Sequence, residues 1–120
     1  MKKYVDVFVI PVPKKNVAAY RKVSETIGKV CRDHGALEYV ACIGDDVKPG
    51  KVTSFPQAVK HEADETVVVV WVTYKSREHR DKVNAAAMTD PKMTALMDPK
   101  SMPFDGKRMF MGGFEVLLEL

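Results

Sequence analysis

A segment apolar on both of its faces, two amphipathic helical stretches and the order β-α-β, long loop, β-α-β together predict an α+β fold. It is a ferredoxin-like βαβ-βαβ unit with a four-stranded antiparallel sheet, two copies of which meet as a dimeric α+β barrel. The segment is Thr66–Tyr74, TVVVVWVTY. Side chains alternate along a strand, so Val67, Val69 and Trp71 point one way and Val68, Val70 and Val72 the other. Such a strand must be covered on both faces. Two helices in a chain of 120 residues cover one face of a sheet; a second copy of the chain is expected on the other. Residues 1–120 are read as a single domain.

The elements follow in order. Tyr4–Pro11 reads as a strand, with Val5, Val7 and Val9 on one face and Asp6, Phe8 and Ile10 on the other; Pro11 and Pro13 are expected to end it. From about Lys14 to His34, Val17, Tyr20, Ser24, Ile27, Cys31 and His34 recur at three- and four-residue steps, the spacing of a helix face. Gly35 supplies its stop. Gly28, inside the helix, costs about 1 kcal/mol against Ala and is expected to allow close packing. Ala36–Ile43 is a second strand, with Leu37, Tyr39, Ala41 and Ile43 on one face. Residues 44–65 form a long irregular segment with a short extra strand expected near Lys51–Phe55. After the central strand, Ser76 is a helix cap for a helix reaching about Met88. Asp90-Pro91 starts a shorter helix carrying Met93, Leu96 and Met97, and Asp98-Pro99 ends it. The last strand is expected from Lys107 to the C-terminus, with Gly112-Gly113 marking a bulge or a close backbone approach.

Composition narrows the function classes. The 19 Lys and Arg against 16 Asp and Glu leave a net charge of +3, with the signs interspersed, so no basic arm for nucleic acid is present. Cys31 and Cys42 lack metal-site or redox-motif spacing and read as reduced, partly buried thiols. The longest apolar run is far too short for a membrane span. Asp6 and Pro11 interrupt what begins like a signal peptide, which makes the cytoplasm the expected compartment.

No nucleophile elbow, phosphate-binding glycine loop or zinc spacing is present, and neither a metal nor a cofactor is expected. Haem is disfavoured, with His34 or His79 as its conceivable axial ligand. Asp45 and Asp46, with Asp105 or His61, could approach a cation only if several ligands converged. Lys107–Phe114 invites comparison with an RNA-recognition strand, but its residue order is wrong and its sheet face reads as buried. His34 reads as a capping or surface histidine, and His61 as solvated. The candidate ligand-binding residues are Trp71, His79, Asp105 and Arg108. Arg108 could hold an anion by paired hydrogen bonds, and His79 could move a proton near neutral pH.

The segments GALEY (35–39), GDDVKPGKVTSFP (44–56), YKSREHRD (74–81) and MPFDGKRM (102–109) resemble a bacterial family of uncharacterised small proteins named for YbaA. The resemblance spans essentially the whole chain. It implies a ferredoxin-like dimeric α+β barrel and no established activity, so no catalytic residue is carried over. One departure is Val40, where a charged residue is expected. The wider barrel superfamily includes cofactor-independent monooxygenases, haem-degrading enzymes, chlorite dismutase-like proteins and small-molecule sensors, an analogy of fold alone. The leading expectation is therefore a homodimer, joined through the sheet face, that binds a small molecule between sheet and helices and could be a cofactor-independent oxygenase-type enzyme. The alternatives are a non-catalytic protein-interaction dimer and an RNA-binding protein.

Overall fold

In the computed structural model, which describes residues 2–120, four strands form one sheet. They are β1 (Tyr4–Pro13), β2 (Glu38–Ile43), β3 (Glu65–Tyr74) and β4 (Phe110–Glu115). The strand order is β2-β3-β1-β4 and every pairing is antiparallel, the ferredoxin-like arrangement. Helix α1 (Val17–Asp33) follows β1 and helix α3 (Arg77–Thr89) follows β3; short helices α2 (Phe55–Ala58) and α4 (Pro91–Thr94) lie in the connections.

Register explains why one face of the sheet is a core. Phe8↔Val70, Ile10↔Val68 and Tyr4↔Tyr74 pair across β1 and β3, and these side chains pack with Tyr20, Cys31 and Val83 from the helices. The alternate residues make the opposite face. There Val40, Trp71, Val7 and Gly112 align in one row across the four strands, and Cys42, Val69, Val9 and Phe110 in the next. Val59, at the end of α2, covers Val9 and Val67 at one end of this second face; the rest is open, and Phe110 and Phe114 remain 45% and 58% exposed on it.

Several boundaries differ from the sequence expectation, each for a local reason. Strand β1 runs through Pro11 to Pro13. Strand β4 stops pairing with β1 at Val9, so beyond that point β1 is an edge, where a missing N–H is tolerated. No strand forms at Lys51–Phe55. Instead Ser54 caps α2, its Oγ accepting from the Gln57 N–H at 3.2 Å, with Pro56 in the first turn. Strand β4 starts only at Phe110 because Asp105 holds a turn before it: its carboxylate accepts from the Lys107 N–H at 3.0 Å. Just past β4, the Val116 N–H donates to the carbonyl of Lys3, the residue before β1, at 3.0 Å. Register through Gly112 and Gly113 is unbroken, so there is no bulge there. The glycine at 113 instead admits the Tyr4 ring, which a Cβ at that position would strike. Cys31 is buried, whereas Cys42 is exposed, because β2 is an edge strand.

Candidate functional site

Of the four residues singled out from the sequence, the fold brings together two. Arg108 donates to both carboxylate oxygens of Glu65, at 2.7 and 2.6 Å. Its Nε donates to Asp105 at 3.0 Å, and Nη1 also reaches the Lys60 carbonyl at 3.2 Å. The Glu65 side chain is 4% exposed. Arg108 holds Glu65 and Asp105 below the usual carboxylate range, and its own guanidinium is raised by Glu65 first and Asp105 second. With both oxygens of Glu65 engaged, this cluster locks the start of β3 to the turn before β4. Beside it, the exposed His61 places Nε2 2.6 Å from the Glu65 carbonyl oxygen.

His79 lies at the other end of β3, about 30 Å along the strand. Its Nδ1 accepts from the Lys75 N–H at 2.9 Å, and its ring meets Tyr74 edge-on at 5.9 Å. Ser76 caps α3 there, accepting from the His79 N–H at 3.1 Å. Trp71 sits on the open face of the sheet, away from the helices. The four residues therefore occupy three separate places. His34, for its part, pairs through Nε2 with Asp90 at 2.9 Å, joining the end of α1 to the start of α4. Among the described residues no group of three or more His, Cys, Asp or Glu side chains is placed to hold a metal ion, and no helix is long and apolar enough to cross a membrane.

A second buried ion pair went unread in the sequence. Asp6, 1% exposed, points from β1 toward the helices and accepts from Arg80 Nη1 at 2.6 Å. The guanidinium of Arg80 lies 4.9 Å over the Tyr4 ring. Nearby, the Tyr74 hydroxyl donates to Asn84 Oδ1 at 3.2 Å. Burial, and then the Asp6 carboxylate, push the Cys31 thiol up, so it is held as an inert thiol. The Asp6–Arg80 pair docks α3 on the sheet.

A cavity of about 570 Å³ lies between α1 and edge strand β2. Val17, Tyr20, Arg21, Ser24 and Glu25 come from successive turns of one stripe of α1; Tyr39, Ala41 and Ile43 come from β2, and Val68 from β3. The walls are apolar and the mouth carries one charge of each sign, Arg21 and Glu25. Tyr39 crosses α1 at Gly28, where a Cβ would lie 2.6 Å from Cδ1 of the ring. That crossing carries the Tyr39 hydroxyl to within 2.7 Å of Ser24 Oγ. Burial pushes the Tyr39 phenol well above its usual range and raises Tyr20 as well; in both, the Ser24 hydroxyl offsets part of the rise. The groove thus has apolar walls and a floor of neutral hydroxyls. A serine inside the apolar stripe of α1 was the one sequence signal that pointed here.

A family described as "Protein of unknown function (DUF1428)" matches residues 3–106. The uncharacterised protein YbaA of Escherichia coli (strain K12) is 46% identical over 117 residues, 98% of this chain and 98% of that one. The YbaA protein of Shigella flexneri matches to the same extent. Among solved structures, a dimeric ferredoxin-like protein from an uncultured marine organism superposes with TM-score 0.60 at 14% identity over 100% of both chains. A NIPSNAP family protein of unknown function from Agrobacterium tumefaciens gives TM-score 0.56 at 15% identity, over 96% of this chain and 88% of that one. At such identities these structures attest the fold alone. By sequence, this chain belongs to the DUF1428 family of proteins of unknown function.

Proposed function

We propose that this protein works as a homodimer, joined through its open sheet face, that binds a small molecule in the groove between α1 and the sheet. The groove carries the ligand reading: a cavity of about 570 Å³ with apolar walls and a few convergent polar groups is the usual form of a small-molecule site. The open face supports the dimer. Val5, Val7, Val69 and Trp71, each partly exposed, share it with the exposed Phe110 and Phe114, an apolar patch of the kind that marks protein–protein contacts. A dimer is also how one structurally similar protein is described. Oxygenase-type chemistry remains a fold-level analogy; the groove's residues support binding rather than a particular reaction.

Native mass spectrometry of freshly purified protein tests both halves. A dimer with additional bound mass supports both, and a dimer without it supports the interface alone. A monomer rules out the sheet-face dimer and gives weight to the RNA alternative, because Phe110, Trp71 and Phe114 would then stand free for base stacking. A second reading, a non-catalytic dimer acting through protein partners, is favoured by one observation. The loop between β2 and α2 displays Val52 at 93% exposure, with Phe55 also exposed behind it. Pull-down with and without residues 44–58 separates that reading from the first.

A further inference from the structure

Three hydroxyls line the groove, and their hydrogens do not balance. Ser24 Oγ and Tyr39 OH share one hydrogen bond at 2.7 Å, and neither makes another among the described residues. Tyr20, 7% exposed, lies on the same stripe of α1 one turn before Ser24. Even a fully linked chain of three hydroxyls uses two of its three hydrogens, so at least one donor has no acceptor in the protein. The Tyr20 hydroxyl makes no hydrogen bond to another described residue, and since no fully buried side-chain oxygen or nitrogen of those residues lacks a partner, it is an accessible donor. A ligand that supplies an acceptor there gains a hydrogen bond.

Resting on the reading of the groove as a ligand site, we infer that its occupant is an uncharged molecule. It presents a carbonyl oxygen to the hydroxyls of Tyr20, Ser24 and Tyr39 and lays an apolar body along Val17, Ala41, Ile43 and Val68. Two further observations select a neutral acceptor over a carboxylate. The phenols are raised by burial, so this floor resists negative charge while keeping both groups protonated as donors. At the mouth, Glu25, paired with Lys29 at 3.0 Å, lines the groove together with Arg21, so an anion held at Arg21 would meet a carboxylate on the same rim. A carbonyl needs only the donors that are already there.

The test uses the full chain, ¹⁵N-labelled, titrated separately with acetophenone, ethylbenzene and benzoate while the Tyr39, Ala41 and Cys42 amides are followed. Acetophenone is expected to shift these amides and to bind about five- to tenfold more tightly than ethylbenzene, the increment of one net hydrogen bond. In Tyr39→Phe and Ser24→Ala, each checked for a native spectrum, that preference should shrink to about twofold while ethylbenzene binding persists. Because Ser24→Ala keeps a good helix former in α1, it serves if the tyrosine variant folds poorly. Equal binding of ketone and hydrocarbon overturns the carbonyl assignment and leaves the groove as a ligand site. Tightest binding by benzoate overturns it in favour of an anion held at Arg21. If no probe moves these amides at millimolar concentration, the groove reading falls and the inference falls with it.

Discussion

Replacing Gly28 with Ala sets two effects of opposite sign against each other. On helix propensity alone, Gly28→Ala stabilises α1 by about 1 kcal/mol. The new methyl, however, would lie 2.6 Å from Cδ1, 2.9 Å from Cε1 and 3.1 Å from Cγ of Tyr39, where carbon atoms normally rest about 3.5–4.0 Å apart. These are atoms at the root and side of the ring rather than its flexible far end, so the whole ring must back away by about 1 Å. That overpacking costs about 1–3 kcal/mol. The displaced ring also gives up the 2.7 Å bond to Ser24, a further loss of about 1 kcal/mol. The net effect is a destabilisation of about 1–3 kcal/mol. Urea unfolding at one fixed protein concentration, since a dimer makes stability depend on it, should show the midpoint falling by about 0.5–1.5 M. In a Tyr39→Ala background the same substitution should instead stabilise by about 1 kcal/mol, and that change of sign isolates the contact. A rise in the midpoint on placing alanine in the otherwise native chain would refute the packing of Tyr39 on α1, and with it the floor of the groove.

The remaining predictions probe the other clusters. Glu65→Gln, which leaves Arg108 its bond to Asp105 but removes the paired bonds to a carboxylate, should cost about 1.5–3 kcal/mol, read as a fall in urea midpoint; a loss under 1 kcal/mol would mean the pair is solvent-screened. Because the folded-state pKa of Glu65 is depressed from 4.5, its stabilisation is present above about pH 4.5 and is lost as pH falls through the lower folded value; the wild-type minus Glu65→Gln difference should therefore shrink on acidification. Trp71→Lys should yield a folded monomer by size-exclusion chromatography with light scattering, since a charge on the open face opposes its burial, and an unchanged dimer would place the interface elsewhere. His79→Ala should cost about 1 kcal/mol by thermal unfolding through the lost Lys75 N–H acceptor, with full stability counting against that bond.

The sheet was legible because a strand's two-residue period assigns every side chain to a face without reference to anything distant. Val5, Val7, Val9, Val69 and Trp71 were grouped correctly on that basis, and so were Tyr39, Ala41 and Ile43. The stripe on α1 was legible for the same reason at a longer period; Tyr20 and Ser24 were on it. The groove was hidden by something periodicity does not encode, the distance between two correctly oriented faces. That stripe puts Val17, Tyr20 and Ser24 on the face toward the sheet, where Tyr20 and Ser24 are buried, but it says nothing of how far α1 stands from β2. In fact β2 is the edge strand, and beyond the Tyr39 crossing the helix and strand part enough to leave a cavity.

Charged residues failed in a different way. An aspartate in the apolar run YVDVFVI demands a buried partner, because an unpaired carboxylate there would cost several kcal/mol. The demand is local, but the answer is not: Arg80 is 74 residues away. Arg108 carried the same ambiguity in reverse. Its fork of donors suits an anion of any origin, so reading it as a ligand-binding group and reading it as the partner of Glu65, 43 residues earlier, are equally faithful to its chemistry. What separates them is whether the protein already fills both donor edges, and here it does. The hydroxyls of the groove differ because they retain a donor that the chain does not use. A group whose bonds are complete holds the fold together, whereas an incomplete one, kept accessible in an apolar wall, is where binding can still gain free energy.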